Sequence, residues 1–167
     1  MTIIIKNKET LLFGDFKFKC SAGMRGFAKN KIEGDKKTPR GVFNLGNLYF
    51  RKDRNHQPNT KIKCIPIKKN WGWSDDLKNK KHYNKLVDIQ NGLRCEKLFR
   101  RDNKYDFLIP ILYNTKNPVL GKGSAIFLHL TKNYKKTLGC IAISKIALLK
   151  IISKIKKNTI VKISDQK

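Results

Sequence analysis

"GSAIFLHLTKNYKKTLGCIAISKIALLKIISKIKK", residues 123–157, decides the fold of this 167-residue chain. It opens on a short apolar run, Ser124 to Leu130, bounded by glycine and by polar residues, as a buried strand is. It closes on a helix. Ser144 suits the N-cap position of a helix over residues 145–157. Ile146, Leu149, Ile152 and Ile155 recur at three-residue spacing and are expected to form its buried stripe. Lys154, Lys156 and Lys157 would favour its C-terminal end through the helix dipole. Between strand and helix stand His129 and Cys140, eleven positions apart.

Working outward, the remaining segments read mostly as strands. "TIIIK" (2–6) is short and β-branched, and "FKFKC" (16–20) alternates, with Phe16, Phe18 and Cys20 on one face. "GVFNLGNLYF" (41–50) is strand-like, with glycines that suit bends. "KIKCIPI" (61–67) alternates again, and Pro66 places it at a sheet edge or a strand end. "YDFLIPILYN" (105–114) reads as a buried strand, "TIVKI" (159–163) as a closing strand, and "NPVLGKGS" (117–124) as a loop. "NWGWSDDLKNKKHYNK" (70–85) is polar, aromatic and irregular, and is expected to be a long surface loop. The expectation is one mainly β domain over residues 1–167, a sandwich or barrel-like sheet, with a helix packed after Cys140.

The length supports a core without disulfide staples. Hydrophobic residues at 40 % exclude a disordered chain. The net charge of +26 is spread along the chain rather than gathered in one helix or tail, so no specific nucleic-acid partner is expected. Cys20, Cys64, Cys95 and Cys140 include no C-x-x-C pair, which argues against a zinc site, and no other metal or cofactor is expected. The three isoleucines before Lys6 are too few for a signal-peptide core or a membrane span.

Cys140 follows a glycine and precedes a helix, a place where backbone N–H groups favour a thiolate. A neighbouring imidazole can accept the thiol proton. Gly139 permits close approach of backbone to a ligand, and the consecutive amides of Leu138, Gly139 and Cys140 would face a developing oxyanion. These parts make an acyl-transfer site. The alternative is a cysteine that merely packs, and that is the reading for Cys20, Cys64 and Cys95. His56 and His82 read as solvated.

The segment "GSAIFLHLTKNYKKTLGCIAI" (123–143) resembles the active-site stretch of the L,D-transpeptidase catalytic domain, the YkuD-like family. "KIEGDKKTPRGVFNLG" (31–46) is similar to that family's Gly-Asp-x-x-Thr-Pro-x-Gly element, here Gly34, Asp35, Thr38, Pro39 and Gly41. "YFRKDR", "WGWSDD", "HYNKLV", "YDFLIPILYN" and "NPVLGKGSAIFLH" follow in the order of one branch of the family, the branch with a His…Thr-x-Gly-Cys segment.

The resemblance implies a β-sandwich with a helix beside the active-site strand. It implies Cys140 as nucleophile, His129 as base, Gly139 in the oxyanion turn and Thr137 opening that turn, with Thr38 and Pro39 structural. Leu138 stands where the common motif has a second histidine, and Ile141-Ala142 lacks the arginine that usually follows the cysteine. Arg51, Arg54, Trp73 and Asp75 are the candidates to bind substrate in its place, beside Thr137 and Leu138 of the turn itself, also expected to contact substrate.

The leading expectation is a cysteine-dependent transfer of a peptidoglycan tetrapeptide stem, through a Cys140 thioester, to an amine acceptor. The alternative is an L,D-carboxypeptidase that hands the same thioester to water. A second alternative is a degenerate, basic wall- or nucleic-acid-binding protein. The family implies the periplasm or cell envelope. The absence of a visible signal segment keeps a cytoplasmic location open and adds weight to hydrolysis.

Overall fold

The computed structural model describes residues 1–89 and 92–165. Ten strands form one sheet. In chain order they are β1 (Thr2–Ile5), β2 (Thr10–Phe13), β3 (Phe16–Ser21), β6 (Gly41–Asn44), β7 (Leu48–Phe50), β8 (Cys64–Pro66), β12 (Phe107–Pro110), β13 (Phe127–Leu130), β14 (Ile141–Ile143) and β15 (Ile160–Ile163). A small sheet is built from β9 (Trp71–Ser74), β10 (Leu86–Asp88) and β11 (Cys95–Lys97), and a short pair from β4 (Phe27–Ala28) and β5 (Thr38–Pro39). The one helix among the described residues, α1 (Lys145–Ile152), follows β14 directly.

The large sheet runs β6-β15-β1-β2-β3-β14-β13-β12-β7-β8. The closing strand β15 lies parallel to β1, the two standing second and third from the β6 edge. The edge strand β8 ends on Pro66, where a missing N–H costs no ladder bond.

The layers follow from the pleat, because alternate residues of a strand face opposite sides. On β13, Leu128 and Leu130 join the main core with Ile141, Ile143 and the α1 residues Leu148, Ile151 and Ile152. Phe127 joins a second core with Trp73, Tyr105, Leu108 and Tyr49, and Cys140 packs at its margin. The helix therefore covers one face of the central strands and the small sheet covers the other. The chain is mainly β, a sandwich with a trailing helix, as the sequence led us to expect.

Two local expectations are corrected. The segment at 70–85 is not all loop. Trp71–Ser74 is the middle strand of the small sheet, paired to both Leu86–Asp88 and Cys95–Lys97. Gly72 hides its alternation, and it is glycine because a Cβ there would meet Cys95 Sγ at 2.6 Å.

The helix is also shorter and rotated. It stops at Ile152, with Ser153 as its C-cap, so Lys154, Lys156 and Lys157 lie beyond it and Lys150 is the basic residue of its last turn. Its buried line is Ala147, Leu148, Ile151 and Ile152, while Ile146 is 84 % exposed. Ser144 does cap it, accepting from the Ala147 amide at 3.2 Å. Among the described residues no helix is long and apolar enough to cross a membrane.

Candidate active site

The pairing of β13 with β14 places the chemistry. His129 lies opposite Ala142 and Leu128 opposite Ile141 in a parallel register. One step back along both strands, Phe127 stands beside Cys140, and its amide donates to Cys140 Sγ at 3.3 Å. Residues two apart on a strand share a face. Cys140 and Ala142 thus lie on the same side as Phe127 and His129. Cys140 and His129 are diagonal neighbours on that face, a separation that long side chains span.

His129 is 2 % exposed. Its Nδ1 lies 2.8 Å from the Leu130 carbonyl oxygen. A carbonyl only accepts, so Nδ1 carries the proton and Nε2 keeps its lone pair. Nε2 has no partner among the described residues. The Tyr105 ring meets the imidazole edge-on at 5.4 Å and fixes its plane. Burial holds the imidazole down at about 3, helped by Lys104 and Arg100 nearby.

The Cys140 thiol donates to the Ala125 carbonyl at 3.2 Å. Burial pushes it up to about 12, with Glu96 acting in the same direction. At neutral pH the resting pair is therefore a neutral thiol and a neutral imidazole. The preformed ion pair suggested by the sequence is absent, because the low-dielectric surroundings penalise both charges.

The turn before Cys140 is clamped from both sides. The Thr137 hydroxyl donates to the Cys140 carbonyl at 2.6 Å and accepts from the Gly139 amide at 3.1 Å. The Thr137 amide donates to Ala22 O at 3.0 Å and its carbonyl accepts from Met24 at 2.9 Å. Gly139 has φ +147°, and a Cβ there would meet Lys37 O at 2.9 Å. Because the Gly139 amide is committed to Thr137, it is not one of the amides facing an oxyanion. Leu138 and Cys140 remain for that role. The Leu138 side chain is 71 % exposed at the mouth of the site.

Thr38 of the Gly-Asp-x-x-Thr-Pro element reaches the same turn. Its hydroxyl donates to Gly139 O at 2.8 Å and accepts from Gly23 N at 2.9 Å. Asp35 holds the loop by bonding Lys31 Nζ at 2.6 Å and the amides of Ile32 and Lys37. Pro39 is buried beside it in β5.

Cys140 opens into a cleft of about 380 Å³ whose walls include Leu138, Gly139, Tyr105, Glu33, Glu96, Lys31, Lys36, Asp75 and Arg94. Of the six substrate-binding candidates, Thr137, Leu138 and Asp75 line it, and Arg51, Arg54 and Trp73 do not. Trp73 lies beneath, buried, with its indole N–H on Asn84 Oδ1 at 2.8 Å and its ring edge-on to Phe127 at 5.3 Å. Arg51 is 3 % exposed, forked onto Asp53 at 2.8 and 2.7 Å and stacked on Phe99. Arg54 bonds Asp106 at 3.0 Å and the carbonyls of Arg100, Arg101 and Asp102. Both arginines brace the 100–106 loop, and neither lines the Cys140 cleft.

The sequence reading missed Arg94, which is 72 % exposed on the cleft wall with Nε 3.3 Å from Asp75 Oδ1. It also missed Tyr105, whose hydroxyl donates to Glu96 beside Cys140, and Glu33, which accepts from Tyr83 at 2.5 Å and Ser124 at 2.7 Å. The charges flanking Cys95 in "LRCEK" were the available signal for Arg94 and for Glu96, the partner of Tyr105.

A second cleft, of about 480 Å³, lies on the other side of Lys104 and Thr137 and is lined by His129, Thr131, Ala142, Arg100, Asp102, Lys132, Lys135 and Lys136. Cys140 and His129 thus lie on two clefts that share a wall.

The model of the L,D-transpeptidase catalytic domain, YkuD, matches residues 1–163. No curated protein matches the sequence. Among solved structures, the helical cell shape determining protein Pgp2 from Campylobacter jejuni has a similar fold, with a TM-score of 0.53 and 18 % identity. The likeness covers 99 % of this chain and 48 % of that one, so the chain spans about half the length of this relative. The leading expectation, transfer to an amine acceptor, is corrected by these findings. The family match brings no acceptor with it, and the similar structure, a shape-determining protein at 18 % identity, shares the fold, so an amine acceptor is not carried forward. The match over residues 1–163 means that the chain belongs to the YkuD family of L,D-transpeptidase catalytic domains.

Proposed function

We propose that this chain is an L,D-carboxypeptidase that removes the terminal D-amino acid from peptidoglycan tetrapeptide stems, with Cys140 as nucleophile and His129 as base. The observation that carries the hydrolytic outcome is the charge around His129. Arg100, Lys104, Lys132, Lys135 and Lys136 line its cleft, and the single acid there, Asp102, is already bonded to Arg100 at 2.9 and 2.6 Å. An amine acceptor arrives as an ammonium ion and is repelled by that wall. Water is not.

The steps we propose are these. Stem peptide enters the Cys140 cleft, where Arg94, Lys31 and Lys36 attract its carboxylate. The thiol proton, which in the resting state is shared in the hydrogen bond from Cys140 Sγ to the Ala125 carbonyl, turns to His129 Nε2 and passes to it. Sulfur attacks the carbonyl before the terminal residue, and the oxyanion forms against the Leu138 and Cys140 amides. The C–N bond breaks, and imidazolium returns its proton to the departing amine. His129 then deprotonates a water, which attacks the thioester carbonyl. The thiolate leaves and is reprotonated. The dry, neutral resting pair charges only when substrate closes the cleft.

Incubating the protein with tetrapeptide stem, with and without a D-amino-acid acceptor, and weighing the products tests this reading. Tripeptide plus free D-amino acid in both tubes is the expected result. Exchange or cross-linked product in the second tube overturns it.

A further inference from the structure

The cleft on the His129 side contains more than the dyad requires. Two buried polar atoms there, His129 Nε2 and Thr131 Oγ1, lack partners among the described residues, and both residues line the cleft. Nε2 belongs to a side chain that is 2 % exposed. Buried polar atoms are normally satisfied, so two together mark a place shaped for a group that supplies both an acceptor and a donor. The floor is Ala142, whose small side chain, opposite His129 in the register, leaves the space open.

The rim is strongly cationic. Lys132, Lys135 and Lys136 come from the 131–136 loop, which turns back through two consecutive residues with positive φ, Asn133 at 56° and Tyr134 at 51°. Non-glycine residues adopt this conformation at a cost. Lys104 stands opposite, and Asp102 is taken by Arg100. Four unpaired lysines around one concavity repel one another unless an anion lies between them.

From this geometry we infer a second ligand site, for a phosphate-class anion that retains one O–H, such as hydrogen phosphate or a phosphomonoester. Its unprotonated oxygens accept from the lysines and the Thr131 hydroxyl, and its O–H donates to His129 Nε2. A carboxylate satisfies the first requirement and not the second. Lys104, Arg100 and the rim lysines supply the field that holds the anion, with Asp102 taken by Arg100 and the Tyr105 ring against the imidazole. The ligand's O–H and the Cys140 thiol compete for the one lone pair of His129 Nε2, so occupancy and proton transfer from Cys140 exclude each other. Binding is read here without turnover, so the site stands or falls separately from the carboxypeptidase reading.

The experiment is a titration of the whole chain with inorganic phosphate at constant ionic strength, followed by the imidazole nitrogen resonances. His56→Gln and His82→Gln assign the remaining signal to His129. The expected result is a saturable shift at His129 that weakens at least tenfold in a Lys132→Ala/Lys135→Ala/Lys136→Ala variant with unchanged backbone spectra. Acetate, in a parallel arm, is expected to bind several-fold more weakly. A shift that does not saturate, that chloride reproduces or that survives the triple substitution overturns the site. Acetate binding as tightly as phosphate overturns the O–H assignment.

Discussion

The Thr38 hydroxyl donates to the carbonyl of Gly139 at 2.8 Å, across 101 positions of sequence. The same oxygen accepts from the Gly23 amide at 2.9 Å. One buried hydroxyl therefore ties the Gly-Asp-x-x-Thr-Pro loop to the turn that presents Cys140. Thr38→Val keeps the shape and removes both bonds, leaving a buried donor and acceptor unpaired. The expected loss is about 1–3 kcal/mol of stability, read by denaturant unfolding, with a larger fall in kcat than in KM. Thr38→Ser is expected to recover most of both.

Gly139→Ala is expected to be more severe. The backbone has φ +147°, and the added methyl would press on Lys37 O at 2.9 Å and on Ile126 Cδ1 at 3.3 Å. The turn must shift and carry Cys140 with it. Turnover should fall at least a hundredfold while circular dichroism still reports a folded β protein.

The two groups of arginines should separate kinetically. Arg94→Ala removes an exposed cation from the cleft wall and is expected to raise KM several-fold, with kcat and Tm little changed. Arg54→Ala breaks the bond to Asp106 and three contacts to backbone carbonyls of the 100–106 loop, none of them in the Cys140 cleft. It is expected to lower Tm and leave KM unchanged. The reverse pattern would return substrate binding to Arg54.

The buried pair sets the pH dependence of stability. The His129 imidazole, ordinarily near 6.5, is held at about 3, so between these values the unfolded chain binds a proton that the folded chain does not. Stability contributed by this group is present above pH 6.5 and is lost as pH falls toward 3, at up to about 1.4 kcal/mol per pH unit. The thiols of Cys140 and Cys20, both pushed by burial from 9.0 to about 12, act at the other end. Their contribution is present below pH 9 and is lost as pH rises toward 12. Urea midpoints should be highest between about pH 7 and 9, and His129→Gln should flatten the acid limb. An unchanged acid limb would mean that His129 is not buried neutral.

What the sequence made legible was the layer order around the His–Cys segment. An apolar strand, a glycine turn and a capped helix in succession leave few arrangements, and the Ser144 cap is where the pattern placed it. The helix face was misread because Ile146 shares the three-residue spacing of the buried isoleucines while a helix ending at Ser153 turns it outward. Trp73 was legible as an aromatic but not as the middle of a sheet, since Gly72 breaks the alternation that marks a strand. The cleft walls were the least legible part. Glu33 comes from one segment and Arg94, Glu96 and Tyr105 from another, both remote from Cys140 in the chain, and the packing of the small sheet over the face of the central strands brings the second group to it. Arg51 and Arg54 drew attention as charges in a likely-looking motif, yet their partners, Asp53 and Asp106, hold them elsewhere.

The most direct measurement of the account is the mass of Cys140 during turnover with tetrapeptide stem, quenched in acid and mapped by proteolysis. A thioester is expected, adding the acyl mass of the tripeptide to the peptide that holds Cys140, absent from Cys140→Ala and from His129→Gln, which lacks the base that generates the thiolate. Release of the terminal D-amino acid by Cys140→Ala at the rate of the unaltered protein would contradict it.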